Sequence, residues 1–321
     1  MKLHKFIQRI CAATVASALT LSLCTPVLAE GIAALPAPTS GTSQPDETGD
    51  VPIDPAHFPD ENFRKYLGQK AIDDDKNGIL SQTEREKVTA IVLHSAGNIS
   101  DLTGIKYFPN LKELYCNGGD LANLDVSQNT KLTNLYCYNN QLTSLDVSEN
   151  TKLTELDCSD NQLANLDVSE NPELTYLKCG SNQLTRLDLH VNTALETLIC
   201  DNNQLTSLNL SSNTALTQVY CSGNKRQITV GETGQFDLSA LKGFDVSKAS
   251  GWSEGATVDG NILTVPYGVT EISYRYDLDL GNRKRETFTL TFDKVEEPDL
   301  PDDSSAPADT GSTAGGAIAA V

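Results

Sequence analysis

A repeat of 21 residues is the feature that most constrains how this chain folds. Six cysteines follow one another at exactly this interval: Cys116, Cys137, Cys158, Cys179, Cys200 and Cys221. The pattern L-x-x-L-x-C-x-x-N-x-L recurs in full around Cys137, Cys158, Cys179 and Cys200, and most of it surrounds Cys116 and Cys221. There are five full units, starting at Leu111, and a partial unit that ends at Asn224. A divergent unit begins near Val88. A unit this short cannot enclose its own leucines, so neighbouring units must stack to make a continuous core.

Each repeat predicts one short strand followed by turns. In the second full unit, Asn134 to Tyr138 alternates as a strand, with Leu135 and Cys137 pointing inward. Successive copies would pair as a parallel sheet. Two further series place asparagines in the turns, where a side-chain amide can bond backbone groups outside the ladder. These series are Asn140, Asn161, Asn182 and Asn203, and Asn150, Asn171, Asn192 and Asn213.

The cysteines occupy the inward position at the end of each strand. Stacked strands lie about 4.8 Å apart, a separation that permits a disulfide by its Cα distance. In-register side chains nevertheless point the same way, and the cysteines lack the short converging spacings of metal sites. The pattern favours a ladder of buried free thiols over disulfides or a metal site.

These units resemble the internalin-like leucine-rich-repeat proteins of Gram-positive bacteria, and in particular the subtype with a cysteine ladder. The resemblance implies a solenoid with a parallel β-sheet on its concave face, display outside the cell, and protein or glycan ligands. The lead-in FPDENFRKYLGQKAIDDDKNGILSQTE resembles the N-terminal cap of such arrays. The segment FDLSALKGFDVSKASGW resembles the start of the Ig-like module that often follows them.

Composition divides the chain into six parts. We predict a signal peptide (1–29), a disordered linker (30–52), a helical EF-hand-like cap (53–90), leucine-rich repeats (91–225), an Ig-like β-sandwich (226–294) and an acidic low-complexity tail (295–321). The signal has a basic start, an apolar stretch and a small-residue cleavage site, which predict export. The tail resembles the start of a truncated sortase sorting signal around Thr310 and Gly311, although Ala308 stands where proline is expected. We therefore expect a secreted protein and leave attachment to the cell wall open.

The segment DDDKNGILSQTE, residues 73–84, matches an EF-hand calcium loop. Its predicted ligands are Asp73, Asp75, Asn77, the carbonyl of Ile79, Ser81 and Glu84. Gly78 stands where the loop turns sharply. The alternative is an acidic turn in which Ser81 and Glu84 form a capping box. Because the loop is single, a structural role for Ca²⁺ fits better than a sensor role.

Tyrosines and charged residues recur at the outward strand positions. We predict that they bind a protein or glycan ligand through the concave face: Tyr115, Tyr136, Tyr138, Asp157, Tyr176, Lys178 and Tyr220. Exposed tyrosines are favoured anchors for such ligands. Two alternatives remain, a preference of tyrosine for strands and an array that only spaces or presents other modules.

Charge and motif content exclude other function classes. The formal net charge is −19, and removal of the signal peptide would make it −22. Such a surface repels nucleic acid phosphates. The sequence contains no nucleophile, metalloprotease or phosphate-loop motif, so we predict no enzyme. We also expect no transmembrane helix in the mature chain.

Overall fold

The computed structural model describes residues 49–94, 96–280 and 284–295. The predicted signal peptide, most of the linker and nearly all of the acidic tail lie outside these residues. Within them, no helix is long and apolar enough to cross a membrane. One hydrophobic core runs through the whole described chain, from Val51 to Val295.

The N-terminal cap contains two short helices and a two-stranded sheet. Helix α1 spans Glu61–Leu67 and helix α2 spans Gln82–Lys87, while strand β1 (Val51–Pro52) pairs antiparallel with β2 (Ile79–Leu80). Asp60 caps α1 by accepting a hydrogen bond from the Phe63 amide. Helix α1 ends at Gly68, and turns connect it to Asp73.

The repeats form a parallel sheet of seven three-residue strands, as predicted from their period. These strands are β3 (Ala90–Val92), β4 (Glu113–Tyr115), β5 (Asn134–Tyr136), β6 (Glu155–Asp157), β7 (Tyr176–Lys178), β8 (Thr197–Ile199) and β9 (Gln218–Tyr220). Their order in the sheet follows the chain. Equivalent residues pair, for example Leu135 with Leu156. A 3₁₀ turn, Ile105–Tyr107, lies between β3 and β4.

The asparagine series bond neighbouring repeats together. The amide nitrogen of Asn161 donates to the Cys137 carbonyl one repeat earlier, at 2.6 Å, and its oxygen accepts from the Leu142 amide. Asn171 donates in the same way to the carbonyls of Val147 and Asn150. These bonds satisfy buried backbone groups that lie outside the strand ladder.

The C-terminal part contains two further sheets. A four-stranded sheet has the order β10, β16, β15, β12, formed by Asn224–Gln227, Arg285–Thr291, Glu271–Asp277 and Ala249–Ser250. A three-stranded antiparallel sheet has the order β11, β14, β13, formed by Gln235–Asp237, Ile262–Thr264 and Thr257–Asp259. The remaining elements are the 3₁₀ turns Leu238–Ala240 and Val246–Lys248.

The last repeat is joined to the C-terminal sheets. Asn224 fills the turn position of its repeat by accepting a hydrogen bond from the Leu205 amide, and it also begins β10. The hydroxyl of Tyr274 donates to the Thr206 carbonyl at 2.6 Å. Strand β10 therefore continues the solenoid into the next sheet by pairing in parallel with β16.

Candidate functional site

The thiol ladder lies on the inner side of the sheet. All six repeat cysteines are buried, and none of them forms a disulfide. Burial raises the pKa of the Cys179 thiol, and contact with Cys221 together with burial raises that of Cys200. The predicted ladder of buried free thiols is thus present, and its sulfur atoms act as small core groups rather than as reactive nucleophiles.

The opposite side of the sheet, here called the strand face, carries the predicted ligand-binding residues. They fall in adjacent columns because equivalent positions pair across the strands. The rings of Tyr115 and Tyr136 stack with centroids 6.3 Å apart, and Tyr136 contacts Tyr176 at 6.4 Å. The structure therefore brings the tyrosines of two consecutive repeats, Tyr115 and Tyr136, and that of the fourth unit, Tyr176, into one aromatic row.

Exposure along this row differs from the expectation. Tyr220 is 55% exposed, whereas Tyr115 and Tyr136 are only 5% and 4% exposed. Asp157 is completely buried. Tyr115, Tyr136 and Asp157 point to the predicted side of the sheet, but bulky neighbours one strand away cover them. The prediction that these three side chains are exposed is therefore wrong. Tyr138, Tyr176 and Lys178 are half-buried, and Tyr220 is exposed.

Two glutamates that the sequence reasoning did not select belong to the same cluster. The Tyr115 hydroxyl donates to Glu113 at 2.6 Å, and the Tyr136 hydroxyl donates to Glu155. Burial and the Glu113 carboxylate raise the pKa of Tyr115, and burial raises that of Tyr176 to about 12. The signal that identifies Glu113 and Glu155 is their outward position in the repeat, next to the tyrosine column.

Asp157 lies at the centre of the strand face. Its Oδ1 accepts hydrogen bonds from the amide and hydroxyl of Ser159, at 3.0 and 2.6 Å. The Lys178 ammonium lies 3.6 Å from its Oδ2 and 5.6 Å from the centre of the Tyr138 ring. Burial raises the pKa of the Asp157 carboxyl, and the Ser159 bonds and Lys178 oppose that shift.

A second candidate site is the acidic loop in the cap. Oxygen atoms of Asp73, Asp75 and Glu84 lie within 4.8 Å of one another. Asp73 and Glu84 are buried, and Gly78 has a φ of 79°, as the sharp turn requires. This acidic cluster is chemically able to hold a metal ion. The capping box between Ser81 and Glu84 forms as well, so the two readings of this motif describe one arrangement.

The pairing of β1 with β2 orients the Ile79 backbone. Ile53 donates to the Gly78 carbonyl from one side of β2. Backbone groups alternate in direction along a strand, so those of Ile79 point away from β1 and toward the loop. The Ile79 amide accordingly donates to Asn77 Oδ1 at 2.7 Å. The Ile79 amide thus lies on the loop side of β2, whereas the hydroxyl of Ser81 bonds Glu84.

Comparison with known proteins identifies the repeats. A family model described as leucine-rich repeats, two copies, matches residues 130–171. That stretch covers two of the stacked units described above. Residues 130–171 are therefore leucine-rich repeats. The neighbouring units share their 21-residue period and the buried cysteine ladder.

Several solved structures are similar to this chain. An internalin C2 from Listeria monocytogenes is 19% identical with a TM-score of 0.42, over 56% of this chain and 88% of that one. An internalin, inlF, from the same species is 21% identical with a TM-score of 0.29, and the match covers 56% of this chain and 73% of that one. A third structure is the functional domain of InlJ from Listeria monocytogenes, which includes a cysteine ladder. It is 17% identical with a TM-score of 0.27, and the match covers 76% of this chain and 98% of that one. No curated protein matches this chain.

Proposed function

We propose that this chain is a secreted or cell-surface recognition protein that binds a protein or glycan ligand through its strand face. The observation that carries the proposal is the set of accessible side chains on this face, namely half-buried Tyr138, Tyr176 and Lys178 and open Tyr220, with Tyr176 held against the covered ring of Tyr136. Aromatic rings whose positions are fixed before binding lose little entropy when a ligand covers them. Repeat proteins commonly use such continuous surfaces for recognition.

A screen of glycan and protein arrays tests this function. The wild-type chain should capture a defined ligand, and Tyr138→Ala should remove capture because the half-buried ring is accessible at the centre of the face. The matched control is His190→Ala, on a turn at the surface outside the strand face, which should capture normally. Equal capture by both variants would place the ligand on a surface other than the strand face. No capture by the wild type would favour an array that only spaces or presents other modules.

We also propose that the acidic loop, residues 73–84, is a structural Ca²⁺ site of EF-hand type. Asp73, Asp75 and Glu84 supply converging carboxylates, and the Ile79 carbonyl is proposed as a further ligand. A hard cation favours such an all-oxygen set. Strand β2 lies within this loop, and its pairing with β1 makes the loop more rigid although no second EF-hand loop accompanies it. Calcium would therefore stabilise the cap rather than switch it.

The remaining parts of the chain fit an exported recognition protein. Residues 1–29 are proposed as a cleaved signal peptide and 295–321 as a tail that belongs to secretion or wall attachment. The C-terminal sheets, with four and three strands, are proposed as an Ig-like module that spans 226–294. The continuous core between this module and the last repeat supports a fixed orientation of the strand face.

A further inference from the structure

The Asp157 carboxylate is a buried charge whose bonding is incomplete. Its side chain is 0% exposed, and Oδ1 is occupied by the two bonds from Ser159. Oδ2 is buried and accepts no hydrogen bond from the described residues. The ammonium of Lys178, at 3.6 Å, is close enough for an ion pair but not for a well-formed hydrogen bond.

A buried carboxylate normally requires full pairing. Its desolvation costs several kcal/mol, which only good geometry and additional hydrogen bonds offset. The raised pKa of Asp157 has burial as its largest cause and agrees with incomplete compensation. Oδ2 thus offers an acceptor to a cationic donor that comes closer than Lys178 does.

The surroundings of Oδ2 already hold one cation. The Lys178 ammonium lies over the Tyr138 ring, and its side chain is 28% exposed. The Asp157 carboxylate and the face of the Tyr138 ring both contact this ammonium, and such a pair of contacts is suited to recognise an organic cation. Lys178 reaches this place on a long flexible stem, so it can leave without any change in the backbone.

The rest of the strand face is acidic. Glu113, Glu155 and Asp201 share it with Asp157, and Lys178 is the single cation among the outward strand positions of 113–222. The chain as a whole has a net charge of −19. A basic partner would be steered to this surface, and an acidic glycan would be repelled.

We propose that Asp157, Tyr138 and Lys178 form a binding site for a basic side chain, preferably arginine, on an extended segment of a partner protein. Lys178 holds the place of that side chain until the partner arrives. A guanidinium has a planar fork of donors that can bond Oδ2 while it stacks on the Tyr138 ring. A neutral sugar hydroxyl would leave the buried charge uncompensated. The inference rests on the proposed function, since it specifies the ligand of the same face.

The test uses the chain without its predicted signal peptide and a fluorescent nonapeptide in which serine and arginine alternate. A peptide with citrulline in place of arginine is the neutral control of the same shape. Fluorescence anisotropy at about 0.15 M salt should show binding of the arginine peptide, with the citrulline peptide about tenfold weaker or more. Similar binding of both peptides would overturn the proposal.

Three variants separate a specific site from general acidity. Asp157→Asn should weaken binding of the arginine peptide by about tenfold or more, because it removes the buried charge. Lys178→Met should tighten binding several-fold, because it removes the internal competitor. Asp167→Asn removes a carboxylate outside the strand face and should change affinity by less than about twofold. Equal losses for Asp157→Asn and Asp167→Asn, or no gain for Lys178→Met, would contradict the site.

Thermal denaturation guards against loss of folding. Asp157→Asn should be at least as stable as the wild type, since it removes an unfavourable buried charge and keeps an oxygen that accepts from Ser159. Array capture of a neutral glycan that depends on Tyr138, with no binding of the arginine peptide, would overturn this inference and leave the proposed function intact. Capture by a surface other than the strand face would overturn both.

Discussion

The ring of Tyr115 stacks almost parallel on the ring of Tyr136, with an angle of 16° between the two planes. The two residues belong to consecutive repeats, and each hydroxyl is bonded to a glutamate of the strand face. A surface assembled in this way contributes to stability as well as to the proposed recognition. It follows that substitutions on the strand face have different effects according to how deeply each ring is covered.

Tyr136→Ser should lower the free energy of unfolding by about 2–4 kcal/mol, because it removes a buried ring and one partner of two aromatic contacts. Tyr220→Ser is the matched control, since Tyr220 occupies the same column and is 55% exposed. It should change stability by about 0.5 kcal/mol at most. Urea denaturation of both variants measures the difference, and equal effects would mean that the tyrosines do not cover one another.

The thiols of Cys116 to Cys221 should be present in reduced form and should resist alkylation in the folded protein. All six thiols are buried, so reagents cannot reach them. Burial also raises the pKa of Cys179, and contact with Cys221 together with burial raises that of Cys200. Iodoacetamide labelling followed by peptide mass spectrometry measures each position. All six should be labelled only after denaturation. Bridges between neighbouring repeats, or rapid labelling of the native chain, would disprove the buried ladder.

Calcium should raise the melting temperature of the cap region. A site with a Kd of about 10⁻⁴ M in about 1 mM Ca²⁺ would stabilise the folded state by about 1.4 kcal/mol. Glu84→Gln should remove most of this effect. Asp74→Asn should retain it, because the Asp74 carboxylate bonds Lys87 instead of joining the cluster. Calorimetry that detects no calcium binding to the wild type at several millimolar would rule the site out.

Ser181→Gly should stabilise the array by about 1 kcal/mol. Ser181 has a φ of 52°, a left-handed conformation in which a Cβ atom is strained, and glycine relieves the strain. Gly118 and Gly223 already occupy the equivalent turn of other repeats with φ near 70°. Ser169→Gly, at an exposed turn position without a positive φ, is the control and should be neutral or slightly destabilising. Chemical denaturation that shows no gain for Ser181→Gly would contradict this account of the turn.

The regular part of the fold was predictable from the sequence because each repeat faces the same neighbours. The positions of Leu135 and Cys137 in one unit determine those of Leu156 and Cys158 in the next, so period and strand register follow together. The turn asparagines were predictable for the same reason. Their hydrogen bonds reach one repeat back, as Asn161 does to Cys137.

The features that depend on side-chain volume or on distant pairing were not predictable. Alternation gives the direction of Tyr136 but not its burial, which depends on the size of Tyr115 and Tyr176 beside it. The pairing of β10 with β16 joins residues 64 positions apart, such as Asn224 and Phe288, and no local pattern specifies it. The strand Val51–Pro52 lies in a proline-rich segment, where composition predicts a linker.

Hydroxyl-radical footprinting of the chain, alone and with a captured ligand, tests most directly whether the strand face is the recognition surface. Binding should suppress oxidation of Tyr138 and Tyr176, which lie half-buried at the centre of the face. Tyr267 and His190 are exposed elsewhere and should be oxidised equally in both states. Protection at Tyr267 or His190, with Tyr138 and Tyr176 unchanged, would contradict the account.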